Sequence, residues 1–122
     1  MAKHNDFGKE GEAAALAYLL QQGHVLLAQN YRYEKAEVDL ITQDGKVLVF
    51  TEVKARANND FGYPEEFVGK KKMKLLGEAA DEYIYQNKYD GDMRFDIIAI
   101  TKTKEGLEIH HIKDVYFPSN GD

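Results

Sequence analysis

The chain contains no cysteine, which excludes disulfide bridges and any zinc site built on thiolates. It has no apolar run long enough to cross a bilayer, and Met1-Ala2-Lys3-His4-Asn5-Asp6 lacks the core of a signal peptide. A cytoplasmic residence with no membrane association is therefore expected. Repeats, low-complexity tracts and linkers are also missing, so residues 1–122 are read as one domain, large enough for a core and too small for two. Positive charge is scarce: 16 Lys and Arg stand against 21 Asp and Glu, a net charge of −5. Non-specific affinity for nucleic acid comes from neutralised phosphates, so this balance argues against a broadly basic binding surface. The one dense basic patch is Lys70-Lys71-Lys72 with Lys74.

What stands out against this background is Asp39, followed after two apolar runs by Glu52-Val53-Lys54. The runs, Glu37 to Gln43 and Lys46 to Lys54, flank Asp44-Gly45, a strong hairpin signal. A turn on Asp44-Gly45 pairs Gln43 with Lys46, Ile41 with Leu48, Asp39 with Phe50 and Glu37 with Glu52. Alternation then puts Val38, Leu40, Thr42, Val47, Val49, Thr51 and Val53 on one face. The other carries Glu37, Asp39, Glu52 and Lys54 beside Ile41, Leu48 and Phe50. A solvated strand end is one explanation for these acids. Opposed like charges destabilise a sheet, however, by about 4 kcal/mol for two unit charges 4 Å apart at an effective dielectric near 20. Something cationic should offset that cost. Lys54 supplies one charge, and a divalent cation that prefers carboxylate oxygens, such as magnesium, supplies more, so a metal site is the preferred reading.

Upstream, Asn5 or Asp6 can cap a helix from about Phe7 to Gln22 that stops at Gly23. Its apolar stripe includes Leu16 and Leu19, with Glu12 on the same stripe and Gly8, Gly11 and Ala15 small enough for close approach to a sheet. Glu12 is either a first-turn acid favoured by the helix dipole or a member of the acidic site, and the pattern does not choose. Val25 to Asn30 reads as the first strand and residues 55–63 as a loop. Pro64 with Glu65-Glu66 starts a second helix that runs to about Gln86. Lys72 interrupts its inner stripe of Val68, Leu75, Leu76, Ala79, Tyr83 and Ile84; a snorkelling side chain, whose stem covers core while its amine reaches water, is a common explanation. Arg94 to Thr101 has the near-continuous apolar character of a central strand, and Leu107 to Ile112 follows Gly106. His110 and His111 are adjacent and point to opposite faces, and none of the four histidines is assigned a role. The strand-helix-strand crossover implies a parallel pair beside the hairpin, hence an α/β fold with a mixed sheet flanked by helices.

This order of elements, with Asp39, Glu52-Val53-Lys54 and a preceding helical Glu12, resembles the PD-(D/E)XK nuclease superfamily and its restriction-endonuclease-like αβββαβ core. More closely, the chain looks like the YraN-like family of bacterial proteins, which are similar to archaeal Holliday-junction resolvases. The resemblance covers nearly the whole chain. It rests on Gly8-x-x-Gly11-Glu12, Asn30-x-Arg32, Glu37-Val38-Asp39-Leu40-Ile41, Val49-Phe50-Thr51-Glu52-Val53-Lys54-x-Arg56, Phe61-Gly62, Lys72 and Arg94-Phe95-Asp96. Ala36 departs from the family's usual glycine, and Val38 from the superfamily's proline.

The resemblance implies a DNA endonuclease dependent on Mg2+ or Mn2+ and acting on branched or structured substrates, with a homodimer spanning two duplex arms. It makes Asp39 and Glu52 metal-binding carboxylates, the Val53 carbonyl a further ligand, and Lys54 the catalytic lysine. Glu12 completes the acidic cluster, Glu37 and Lys72 support it, and Lys70, Lys71, Lys72 and Arg56 meet the nucleic acid. A non-catalytic nucleic-acid-binding module on the same fold is the alternative. A protein-interaction surface of Tyr63, Tyr83, Tyr85, Tyr89, Tyr116 and Phe117 ranks last, since tyrosine stripes more often pack helices.

Overall fold

A computed structural model describes residues 2–56 and 69–115, with side chains from residue 7 onward. The elements are α1 (Ala2–Gln21), β1 (Val25–Tyr33), β2 (Ala36–Asp44), β3 (Val47–Arg56), α2 (Lys70–Gln86), β4 (Met93–Thr103) and β5 (Gly106–Ile112). They form one five-stranded sheet in the order β1-β2-β3-β4-β5. β3 and β4 are parallel, and the other neighbours are antiparallel. This is the expected α/β architecture, a mixed sheet with two helices, consistent with a restriction-endonuclease-like core. No helix among the described residues is long and apolar enough to cross a membrane.

The helices cover opposite faces. Adjacent Ile97 and Ile98 must point oppositely from β4. Ile97 packs with Phe50, Leu76, Ala79 and Ala80 in the α2-side core, and Ile98 with Ile100, Leu40, Ala15 and Leu19 in the α1-side core. α1 ends as its glycine predicts: Gly23 takes φ 96°, while the amides of Gly23 and His24 donate to the carbonyls of Leu20 and Leu19, closing a Schellman motif. The close approach expected at Gly11 is also present. A Cβ there would lie 2.8 Å from Ala55 Cβ, closer than carbon atoms pack.

Four expectations need correction. α1 begins at Ala2, a turn before Asn5 and Asp6; a cap contributes only about 1 kcal/mol, which the bonds of another turn can outweigh. β3 continues through Arg56, because its parallel ladder with β4 extends to Arg56–Thr101 where a loop was expected. α2 starts at Lys70 after an extended Gly69, a poor helix former that takes the cap position. Pro64, Glu65, Glu66 and Val68, together with Phe61, Gly62, Tyr63, Tyr116 and Phe117, lie outside the described residues. Finally, the hairpin loop is Gly45-Lys46, with Asp44 facing Val47 and Ile41 facing Phe50. Gly45 has φ 62°, the positive φ required at the first position of a type II′ loop.

That one-step move of the turn slides every expected pair by two residues. The ladder runs to Leu40–Thr51 and stops. Asp39, not Glu37, is therefore the acid level with Glu52. The faces change as well. Val38 and Ile41, three residues apart, both pack on the α2 side, whereas Leu40 packs on the α1 side. Alternation thus breaks at Asp39-Leu40, and Val38 and Leu40 do not share a face. β1 breaks at the same level: Ala28 and Tyr31 both pack on the α2 side, and Asn30 between them has φ 51°.

Candidate active site

The site lies where β2 and β3 part beyond Leu40–Thr51. In place of the next ladder bond, the backbone N–H of Val53 donates to Asp39 Oδ2 at 2.8 Å. A side chain thus replaces a main-chain acceptor and is fixed beside Glu52. Glu52 is 4% exposed. Its Oε2 lies 3.0 Å from Lys72 Nζ and 3.7 Å from Lys54 Nζ. Its Oε1 is buried and has no hydrogen-bond partner among the described residues. Lys72 is therefore tied to the acids from α2, which decides against a stem merely snorkelling over the core.

Burial is the largest influence on Asp39 and raises its pKa; Glu52 adds to it, the Val53 N–H opposes it, and the net result is a carboxyl pushed up to about 8. Glu12 contributes a smaller upward push, so this helical acid is within electrostatic reach of Asp39. Burial pulls the Lys72 amine down, but Glu52, helped by Asp39 and Glu37, outweighs it and holds the pKa above the ordinary lysine value. Burial first, and then repulsion from Glu52 and Glu12, thus favours the protonated form of Asp39, and the Lys72 ammonium opposes this only in part.

Phe7, Gly8, Glu12, Asp39, Glu52, Val53 and Ala55 line a cavity of about 370 Å³. The fold therefore brings together Glu12, Asp39, Glu52 and Val53, with Lys54 and Lys72 on Glu52. Glu37 lies 3.8 Å from Arg32 Nη2. Lys70 and Lys71 are exposed at the start of α2, and Arg56 ends β3 two residues beyond Lys54. Among the described residues, no three acid or imidazole side chains form a metal cage by themselves. The Asp39 and Glu52 carboxylates beside this cavity are a sparse set of oxygens, of the kind that suits magnesium, which keeps waters and takes substrate oxygens.

Two features escaped the sequence. Asn30 Nδ2 donates to both Glu12 oxygens, at 3.2 and 3.3 Å. On the α1 side, a polar chain crosses the sheet. Asp96 accepts from His111 Nε2 at 2.7 Å, from Arg94 Nε at 3.0 Å and Nη2 at 3.3 Å, and from the Asp114 N–H at 3.0 Å. Arg94 continues to Asp44 at 3.2 Å, and His24 Nδ1 meets Thr42 Oγ1 at 2.8 Å. Two of the histidines assigned no role are thus structural. Burial favours a charged Asp96 least, yet His111, Arg94 and the Asp114 amide outweigh it and hold the carboxyl below its ordinary value. Burial also lowers the His24 pKa, against the pull of Asp44. The available signal was charge at alternate positions 94 and 96 in an otherwise apolar strand.

A sequence profile described as "Uncharacterised protein family UPF0102" matches residues 11–100. A UPF0102 protein of Christiangramia forsetii is 45% identical, covering 96% of this chain and 98% of that protein. Similar proteins occur in Flavobacterium psychrophilum, 42% identical over 96% and 98%, and in Phocaeicola vulgatus, 38% identical over 97% and 98%.

Proposed function

The chain belongs to the uncharacterised protein family UPF0102, and from that premise we propose that it is a metal-dependent endonuclease hydrolysing phosphodiester bonds in branched or otherwise structured DNA. The observation that carries the reading is Glu52 Oε1, a buried oxygen that has no hydrogen-bond partner among the described residues and lies beside Asp39. An unsatisfied buried carboxylate oxygen costs stability, and a hard divalent cation would satisfy it.

Asp39, Glu52 and the Val53 carbonyl would hold Mg2+ or Mn2+, with Glu12 reaching it through water. When bound, the cation supplies an activated water and stabilises charge on the phosphate oxygens. Lys54 orients the attacking water and faces the negative charge that grows on the phosphoryl group. Lys72, 3.0 Å from Glu52 Oε2, holds that side chain in position. Lys70, Lys71 and Arg56 contact the phosphate backbone, and Glu37 supports the cluster through Lys72. Two copies of the chain engage two duplex arms.

A second reading, a nucleic-acid-binding module without turnover, draws on the net charge of −5. One experiment separates the two. Wild type, Asp39→Asn and Glu52→Gln are titrated with Mg2+ and Mn2+ by calorimetry, and cleavage of a four-way junction is assayed on the same samples. Metal binding and cleavage in wild type, both lost in the variants, are expected. Folded wild type that binds no metal, with or without DNA, overturns the nuclease reading. Salt-sensitive DNA binding that needs no metal and survives Glu52→Ala would then identify the binding module.

A further inference from the structure

We infer that Asn30 is a positioning residue of this site: its side-chain amide fixes the Glu12 carboxylate towards Asp39, so that the third acid meets the cation already oriented. The inference rests on the metal-nuclease reading.

The chemistry of the contact is directional. An ionised carboxylate only accepts hydrogen bonds, so the group that grips both of its oxygens must be a donor. Asn30 Nδ2 is that donor, at 3.2 and 3.3 Å. The backbone points the same way. Asn30 has φ 51°, a left-handed conformation uncommon for residues with a side chain but tolerated by asparagine. Glycine would fit the backbone most easily, yet it has no amide to offer. Asparagine satisfies both demands at once.

Its place in the sheet ties the contact to the site. The β1–β2 register passes from Gln29–Leu40 to Tyr31–Val38, which leaves Asn30 level with Asp39. Alternation breaks in both strands there, so the irregularity that turns Asp39 out of the core pattern is matched by the one that sends Asn30 to α1. A glutamate on a helix has three side-chain torsions to fix before it can contribute to a preset ligand geometry, and a partner gripping both oxygens removes that freedom beforehand. Asn30 is itself exposed, where a hydrogen bond contributes little to holding a fold together.

The test is a double-mutant cycle read by calorimetric Mn2+ titration on wild type, Asn30→Gly, Glu12→Gln and the double variant, each first checked for folding by urea denaturation. Glycine keeps the left-handed backbone, so folding survives while the amide is lost. Asn30→Gly is expected to weaken Mn2+ binding by up to about tenfold, the low end of what losing an outer hydrogen-bonding partner around a metal site costs. The double variant is expected to bind no more weakly than Glu12→Gln alone, because Asn30 acts only through Glu12. Unchanged affinity in Asn30→Gly, or losses that multiply in the double variant, would overturn the inference while leaving the nuclease reading intact. Absence of Mn2+ binding in folded wild type overturns both.

Discussion

Asp39 accepts the backbone N–H of Val53 at 2.8 Å across the point where the β2–β3 ladder ends. The bond explains how a carboxyl pushed up to about 8 can be held in place: either the acid or its ion can accept from the amide, so geometry survives a change of charge.

A pH dependence of the metal-free protein follows. The Asp39 pKa is raised from 3.8 to about 8 by burial and then by Glu52, so the folded state binds the proton more tightly than the unfolded chain. Stability contributed by protonated Asp39 is complete below about pH 4 and is lost as pH rises towards 8. Asp39→Asn, which keeps the acceptor, should flatten that slope. In urea denaturation at pH 9 with chelator it should be more stable than wild type by about 1–3 kcal/mol. A variant less stable than wild type there would contradict the electrostatic account.

Lys72 and Glu52 form a pair with one buried member, 3.0 Å apart. Lys72→Met should cost about 1–3 kcal/mol, because the Glu52 charge is left with less compensation, and Glu52→Gln in the same chain should recover most of the loss. Urea midpoints of the four proteins measure the coupling. Additive losses would show that the two side chains do not support one another.

Asp96 is the buried anchor of the second polar chain. His111, Arg94 and the Asp114 amide hold its pKa below the ordinary value against burial, so its contribution is present above about pH 4 and disappears as pH falls through the depressed folded value. Asp96→Asn leaves the Arg94 guanidinium without its buried carboxylate partner and with only the more exposed Asp44. It should cost about 3–5 kcal/mol at pH 7 and reduce the sensitivity to acid. Thermal unfolding between pH 3 and pH 7 distinguishes this from a loss independent of pH.

Gly11 should not tolerate a methyl group. Gly11→Ala meets Ala55 Cβ at 2.8 Å and should destabilise by about 1–3 kcal/mol through overpacking. Ala55→Gly in the same chain should restore most of that, and urea denaturation of both proteins checks the pair. Failure of the second change to help would place the strain elsewhere.

Much of this arrangement is legible in the chain because its signals are local. Asp39, Glu52 and Lys54 interrupt apolar strands, Gly23 ends a helix, and the element order fixes one parallel pair. The exact opposition of the acids was not legible. Asp44-Gly45 and Gly45-Lys46 are both plausible two-residue loops, and the choice between them slides the register by two residues. The break in alternation at Asp39 and Asn30 violates the periodicity by which faces are assigned. The Asp96–His111 contact depends on the pairing of β4 with β5, and the Asn30–Glu12 contact on the docking of α1, neither of which is encoded within one segment.

The acids and the lysines that balance them come from α1, β2, β3 and α2, separated along the chain by stretches that must each find their place in the sheet. No fragment emerging in order of synthesis holds Glu12, Asp39, Glu52 and Lys72 together until α2 has docked. The cluster is thereby assembled only when α1, β2, β3 and α2 have all docked, and a chain that stops short of α2 lacks the nearer of the two lysines on Glu52.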